Sequence, residues 1–264
     1  MKLQNLKKMQ VYNFYPSILD TFSNYINCSK TYQKFWGNSE SPSKSEEEYE
    51  QECFNQLIDK INRVPFESEA ADKGTAYNEL IDCIIEKRKS EIITIERIKG
   101  MQGETIYFNV GYKNQLFSFD YNSAMFISQT LYSAICQELI EANLQTSKGL
   151  VRLYGYADYI LPHKIIDLKT TSTQYQTFKY RGNNQHLVYL YCLQQKGIDI
   201  SLFEYLILQF GKGINEDKIY TEYYNFDSNK ESDLSILQNN CTHFIDFLES
   251  NKHLITDKKI FGTQ

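Results

Sequence analysis

The spacing of apolar residues changes along the chain. Cys53, Phe54, Leu57, Ile58 and Ile61 recur at helical intervals behind Ser45-Glu46-Glu47-Glu48, a capping-box pattern, and predict a helix. The polar stretch before it, GNSESPSKS, reads as a loop. Ala76, Tyr77, Leu80, Ile81, Ile84 and Ile85 predict a second helix over about 74–89, and Phe126, Ile127, Leu131, Ile135, Leu139 and Ile140 a third over about 123–143. After Gly149 the period falls to two. LVRLYGYADYI and KIIDLKT read as strands on either side of Leu161-Pro162-His163. A helix over 183–196 is stopped by Gly197, two more strands (SLFEYLILQF and KIYTEYYNF) are joined by GKGINED, and a last helix covers 230–251. This order predicts one α/β domain, a mixed β-sheet flanked by helices. Its parts are an N-terminal helical elaboration over 1–70, a core over 71–226 and a C-terminal helix over 227–264.

The densest chemistry lies in the first two strands. Strand alternation puts Asp167 and Lys169 on one face and Ile166 and Leu168 on the other. A hairpin turning at Pro162-His163 places Asp158 directly opposite Asp167. Pro162 disfavours a tight primed turn, so a four-residue loop over 161–164 is expected to keep that pairing. Opposed Cβ atoms sit about 4.5–5.5 Å apart. Two carboxylates at that separation repel, and a divalent cation between them removes the conflict. A small set of hard oxygen ligands suits Mg²⁺, and Lys169 beside it can orient water or offset charge on a phosphate. By geometry alone, a solvent-facing hairpin with a salt-bridging lysine fits equally well.

Composition narrows the partner. With 42% hydrophobic and 23% charged residues the chain folds, and a net charge of −5 excludes a protein that coats nucleic acid with its whole surface. Residues 146–197, however, carry seven Lys and Arg against two acids, Asp158 and Asp167. Aromatic residues, among them Tyr154, Tyr156 and Tyr175, are interleaved with these cations, a pattern suited to a single-stranded or frayed DNA end. The polar loop over 170–182 is the expected substrate contact, through Lys179, Tyr180 and Arg181. The six cysteines lie far apart, so neither zinc nor an iron–sulfur cluster is expected. The lack of a signal-peptide core and of any long apolar run predicts a cytoplasmic protein that does not enter membranes.

Four elements in order now stand out: Gly74-Thr-Ala-Tyr-Asn78, Gly155-Tyr-Ala-Asp158, Asp167-Leu-Lys169 and Gln185-His-Leu-Val-Tyr189. Together they resemble the PD-(D/E)XK nuclease superfamily, in its RecB-like and phage-type exonuclease branch, over roughly residues 70–226. The resemblance implies a restriction-endonuclease-like sheet and a Mg²⁺-dependent DNA exonuclease, with Mn²⁺ an accepted substitute. It further implies Asp158, Asp167 and the Leu168 carbonyl as metal ligands, Lys169 as the catalytic lysine, and Gln185 and Tyr189 as positioning groups. Asn78 stands where the branch has a histidine, as a neutral oxygen ligand. On the helical wheel Glu79 and Asp82 point toward solvent, and His163 and His186 are bystanders. The implied partner is DNA; the acidic remainder of the chain suggests a local channel that a ring-shaped homo-oligomer would supply, and a recombination protein is a further candidate partner. A nuclease-like module that binds DNA without cutting it is the alternative from another class. A sugar- or nucleotide-acting hydrolase is a third, weakened by the lack of a phosphate-cradling Gly-rich loop before a helix.

Overall fold

The computed structural model describes residues 10–211, 216–226 and 231–262. A short strand β1 (Val11–Phe14) leads through Tyr15-Pro16 into helix α1 (Pro16–Ile26), where proline sits at the first helical position. Helices α2 (Cys28–Trp36) and α3 (Glu46–Ile61) follow. The expected capping box is present at Ser45 and Glu48. Helix α4 (Glu69–Glu86) starts earlier than the sequence pattern suggests, because Ser68 caps it and Gly74 is an interior residue.

Next comes a separate three-stranded antiparallel sheet, β2 (Ile93–Lys99), β3 (Thr105–Tyr112) and β4 (Gln115–Asp120), which the helical periodicity passes over. The expected helix over 123–143 is corrected. Helix α5 (Tyr121–Thr130) stops, Ser133 takes a φ of +66°, and β5 (Ile135–Gln145) begins. Its apolar residues satisfy either period, and ten residue pairs with β6 (Leu150–Leu161) decide for strand. The remaining elements, β7 (Lys164–Thr171), α6 (Gln185–Gln195), β8 (Leu202–Gln209), β9 (Lys218–Asn225) and α7 (Glu231–Ser250), match the sequence pattern closely. The GKGINED turn falls largely outside the described residues. Two 3₁₀ turns then bring the chain back as β10 (Phe261–Gly262), antiparallel to β1.

The large sheet is mixed and seven-stranded, with helices flanking it. Its alternating side chains feed two cores. Ile165, Phe203, Tyr205 and Ile207 join α1, α6 and α7, while Ile166, Leu168, Leu206 and Leu208 join α4, α5 and the small sheet. No described helix is long and apolar enough to cross a membrane.

β6 is the pivot. β5 occupies one edge of it over 150–160, so β1 and β7 must share the other. β1 pairs with Leu150 to Leu153, in parallel, and β7 pairs with Tyr159 to Leu161, antiparallel. Between them, residues 154–158 have no strand on that edge. The sheet forks there. The β6–β7 register is the expected one, with Leu161 opposite Lys164, but the loop is the two residues Pro162-His163 rather than four. Neither has a positive φ, so the turn is not of the primed type that follows strand twist. Unprimed turns splay their strands, and here the ladder ends after three pairs.

Candidate active site at the fork

Asp158 and Asp167 occupy the position just beyond the last β6–β7 pair, Tyr159 with Ile166. The two acids therefore stand across the opening of the fork rather than within a ladder. Asp158 also marks a slip in β6. Ala157 and Ile160 both pack into the α6 core, while Tyr159 packs into the α4 core. On the β5 side the flanking pairs are Cys136–Tyr159 and Glu138–Ala157, and Gln137 between them has a φ of +52°. Such a left-handed conformation is strained for a residue with a side chain. The slip lets the Asp158 carboxylate reach across to β7, where it accepts a hydrogen bond from the Leu168 backbone N–H at 3.2 Å.

Asp167 points to the α6 side and is only 1% exposed. Its Oδ1 accepts a hydrogen bond from the Gln185 side chain at the start of α6. Its Oδ2, otherwise unpartnered, lies 2.6 Å from Lys169 Nζ. The Lys169 ammonium rests 5.9 Å from the ring centre of buried Tyr205, which stacks on Tyr180 at 4.8 Å. Burial pushes the Asp158 pKa upward, and the charge of Asp167 pushes it further. Burial opposes the charge on Lys169, but Asp167 and Asp158 outweigh it and raise its pKa. The cluster is thus short of positive charge, with one ammonium between two buried acids. Asp20 of α1 lies nearby. Burial raises its pKa too, against hydrogen bonds from the Asn184 backbone N–H at 2.5 Å and from its side-chain amide at 3.1 Å.

Gly155 and Tyr189 explain one another. A Cβ on Gly155 would stand 2.7 Å from Tyr189 Cε1 and 2.8 Å from its hydroxyl. The ring fills the space that glycine leaves, and the Tyr189 hydroxyl donates to the Tyr156 carbonyl at 2.8 Å. Tyr189 thereby holds α6 against the stretch of β6 that is open on its β1–β7 edge. Its neighbour His186 lies buried, stacked on Tyr224, rather than on the helix surface. A groove of about 770 Å³ opens over Lys169, Gln185, Tyr189 and Gly155, bounded by Tyr15, Pro16 and Asp20.

Asn78 lies on α4, one turn after Gly74, which abuts Thr170 of β7, and its amide oxygen is buried without a hydrogen-bond partner. Three expected roles change. Tyr180 faces inward onto Tyr205 at 9% exposure and offers no surface for a base, whereas Lys179 and Arg181 are exposed on the loop. Asp82 is buried, not solvated. It accepts a hydrogen bond from the Tyr159 hydroxyl at 2.7 Å and ties α4 to the residue after Asp158. Glu79 is half-buried and paired with Arg88 at 2.6 Å. Sequence reasoning missed Asp20 and the Tyr15-Pro16 corner. The helix-start signal Pro16 was the available clue, but nothing local says that β1 joins β6.

No family model matches the chain, and no curated protein matches it. Among solved structures, "Crystal structure of SSO0001" is similar with a TM-score of 0.43 and 10% identity, over 94% of this chain and 78% of that one.

Proposed function

We propose that the fork is the active site of a divalent-metal-dependent deoxyribonuclease, an exonuclease by its resemblance. The observation that carries this reading is the state of Asp167, buried to 1% with one oxygen left to a single lysine. Among the described residues no three His, Cys, Asp or Glu side chains gather into a metal cage. Two carboxylates with a backbone carbonyl nearby fit Mg²⁺, which keeps much of its water and takes oxygen from phosphate. Asp158, Asp167 and the Leu168 carbonyl would hold the ion. Such an ion supplies Lewis acidity and charge to a phosphodiester and its attacking water.

The chain's own residues do the rest. Gln185 fixes one oxygen of Asp167 and so aims the other into the fork. Lys169, with a raised pKa, is an ammonium at neutral pH, and it serves as hydrogen-bond donor and positive charge rather than as a base. Tyr189 clamps the 155–156 backbone that forms the wall of the groove. Incubation of linear and circular DNA with Mg²⁺, Mn²⁺ or EDTA tests the proposal. Metal-dependent loss of linear DNA alone is the expected result, and binding without cleavage in every metal would establish the DNA-binding module instead.

A further inference from the structure

The fork groove does not end at Lys169. It shares Arg63, Tyr154 and Tyr156 with a second groove of about 620 Å³ on the uncovered face of β6. That second groove adds Arg152 from β6, and Lys258 and Lys259 from the segment returning to β1. We propose that it is a track for single-stranded DNA leading to the fork. The destination of the track rests on the nuclease reading; its affinity for a strand does not.

The track is a built feature. Helix α3 ends at Asn62, whose side chain straps down the returning segment. Its amide donates to the Leu254 carbonyl at 3.0 Å, and its oxygen accepts from the Thr256 and Asp257 N–H groups at 2.7 and 3.3 Å. The next residue, Arg63, takes the left-handed conformation that closes α3, with a φ of +55° and the Val64 N–H returning to the Asp59 carbonyl at 2.9 Å. Its guanidinium is tied to the same returning segment by Asp257, 3.1 Å from Nε. The outcome is an arginine and two lysines from opposite ends of the chain on one groove wall.

The chemistry matches a single strand. Tyr154 is fixed edge-on by Tyr15 at 5.8 Å, with the Arg152 guanidinium 5.1 Å from its ring centre. Tyr156 is 59% exposed, and Phe66, on the rim of the fork groove, 84% exposed. Open ring faces between cations bind unstacked bases and their phosphates together. Asp257 and Glu141 offset Arg63 and Arg152 in part, while Lys60, Lys258 and Lys259 are exposed. A duplex would have to bring its backbone to Asp167, which is buried to 1%, through a groove walled by Tyr15 and Pro16. A peeled strand has no such obstacle.

The test is fluorescence anisotropy of the full chain in EDTA, where cleavage cannot interfere, with a labelled single strand of about 15 nucleotides and the same sequence as duplex. The wild type is expected to prefer the single strand. Lys258→Gln with Lys259→Gln should weaken its binding at least about fivefold and lower the log–log salt slope by about 1.4. Tyr156→Ala should weaken binding by about fivefold or more with the slope unchanged. Lys99→Gln, on the small sheet, should change neither. Unchanged affinity and slope in both track variants, with native circular dichroism, would overturn the proposal, as would equal binding of duplex. If the track variants lose binding but the protein cuts nothing in any metal, only the nuclease reading falls. A protein that cuts DNA while its track variants bind normally defeats only the track.

Discussion

The fork and the β8–β9 edge of the large sheet treat buried acids differently. At the β8–β9 end, Glu222 is 3% exposed and surrounded by donors. It accepts from the hydroxyls of Tyr175 and Tyr224 and from the Tyr180 backbone N–H at 3.3 Å. Glu204 of β8 is 2% exposed and meets Lys164 at 2.6 Å. Each of these acids has donors of its own. At the fork, Asp158 has one backbone donor, and Asp167 Oδ2 has one lysine that both acids share. Burial alone therefore does not mark a functional carboxylate. A buried charge with its partners present is structural, and one left short implies something still to be bound.

The largest expected effect separates these two classes. Asp167→Asn and Lys169→Gln should each lower metal-dependent cleavage by about a thousandfold or more, since each removes charge at the reacting phosphate. Thermal unfolding in EDTA should leave both variants as folded as the wild type. Glu222→Gln should do the reverse, because an amide cannot accept from every donor around it. A cost of about 1–3 kcal/mol is expected, seen as a melting temperature lower by several degrees, with turnover of the folded fraction at 25 °C kept within about threefold. Equal damage to cleavage from Glu222→Gln and Asp167→Asn would erase the distinction.

Gln185→Ala sharpens it further. Gln185 touches Asp167 and not the reacting atoms, so its loss should act through the metal. Apparent Mg²⁺ affinity should fall about 10- to 100-fold, with the cleavage rate at saturating Mg²⁺ largely restored. Gln185→Glu, which puts a third acid on Asp167, should not restore tight binding. A drop in rate that Mg²⁺ cannot rescue would place Gln185 in the chemistry instead.

The β6–β7 register was legible because a short hairpin constrains pairing locally, so Asp158, Asp167 and Lys169 could be brought together from spacing alone. The capping box before α3 was legible for the same reason. The strand β5 was not, since Ile135, Leu139, Ile140 and Leu144 satisfy a helical face and only pairing with β6 decides between the two. The fork was invisible too. It requires β1, a four-residue strand from the far end of the chain, to stop at Leu153 on the edge that β7 takes up at Tyr159. Tyr180 read as a surface aromatic because its loop is polar, while Tyr205, its partner, lies in another element.

The smallest effect concerns Asp158, and its sign is fixed by the direction of its pKa. Burial and Asp167 raise that pKa in the folded protein, partly countered by Lys169 and the Leu168 N–H, with Asp82 adding to the rise. Unfolded, the same group titrates at about 3.9. The folded state therefore holds the proton more tightly. Its stabilising contribution is full below the unfolded value and is lost as pH rises through the folded one. In EDTA, Asp158→Asn cannot lose a proton there, so it should match the wild type in mildly acid buffer and become the more stable of the two toward pH 8, by roughly 1–2 kcal/mol. Mg²⁺ should reverse the order, raising the wild-type melting temperature and leaving that of the Asn variant nearly unmoved. If the two melting curves keep a constant separation from acid to alkaline pH, and Mg²⁺ shifts both alike, the Asp158–Asp167 repulsion is not what a cation relieves, and the acids at the fork belong with Glu222 after all.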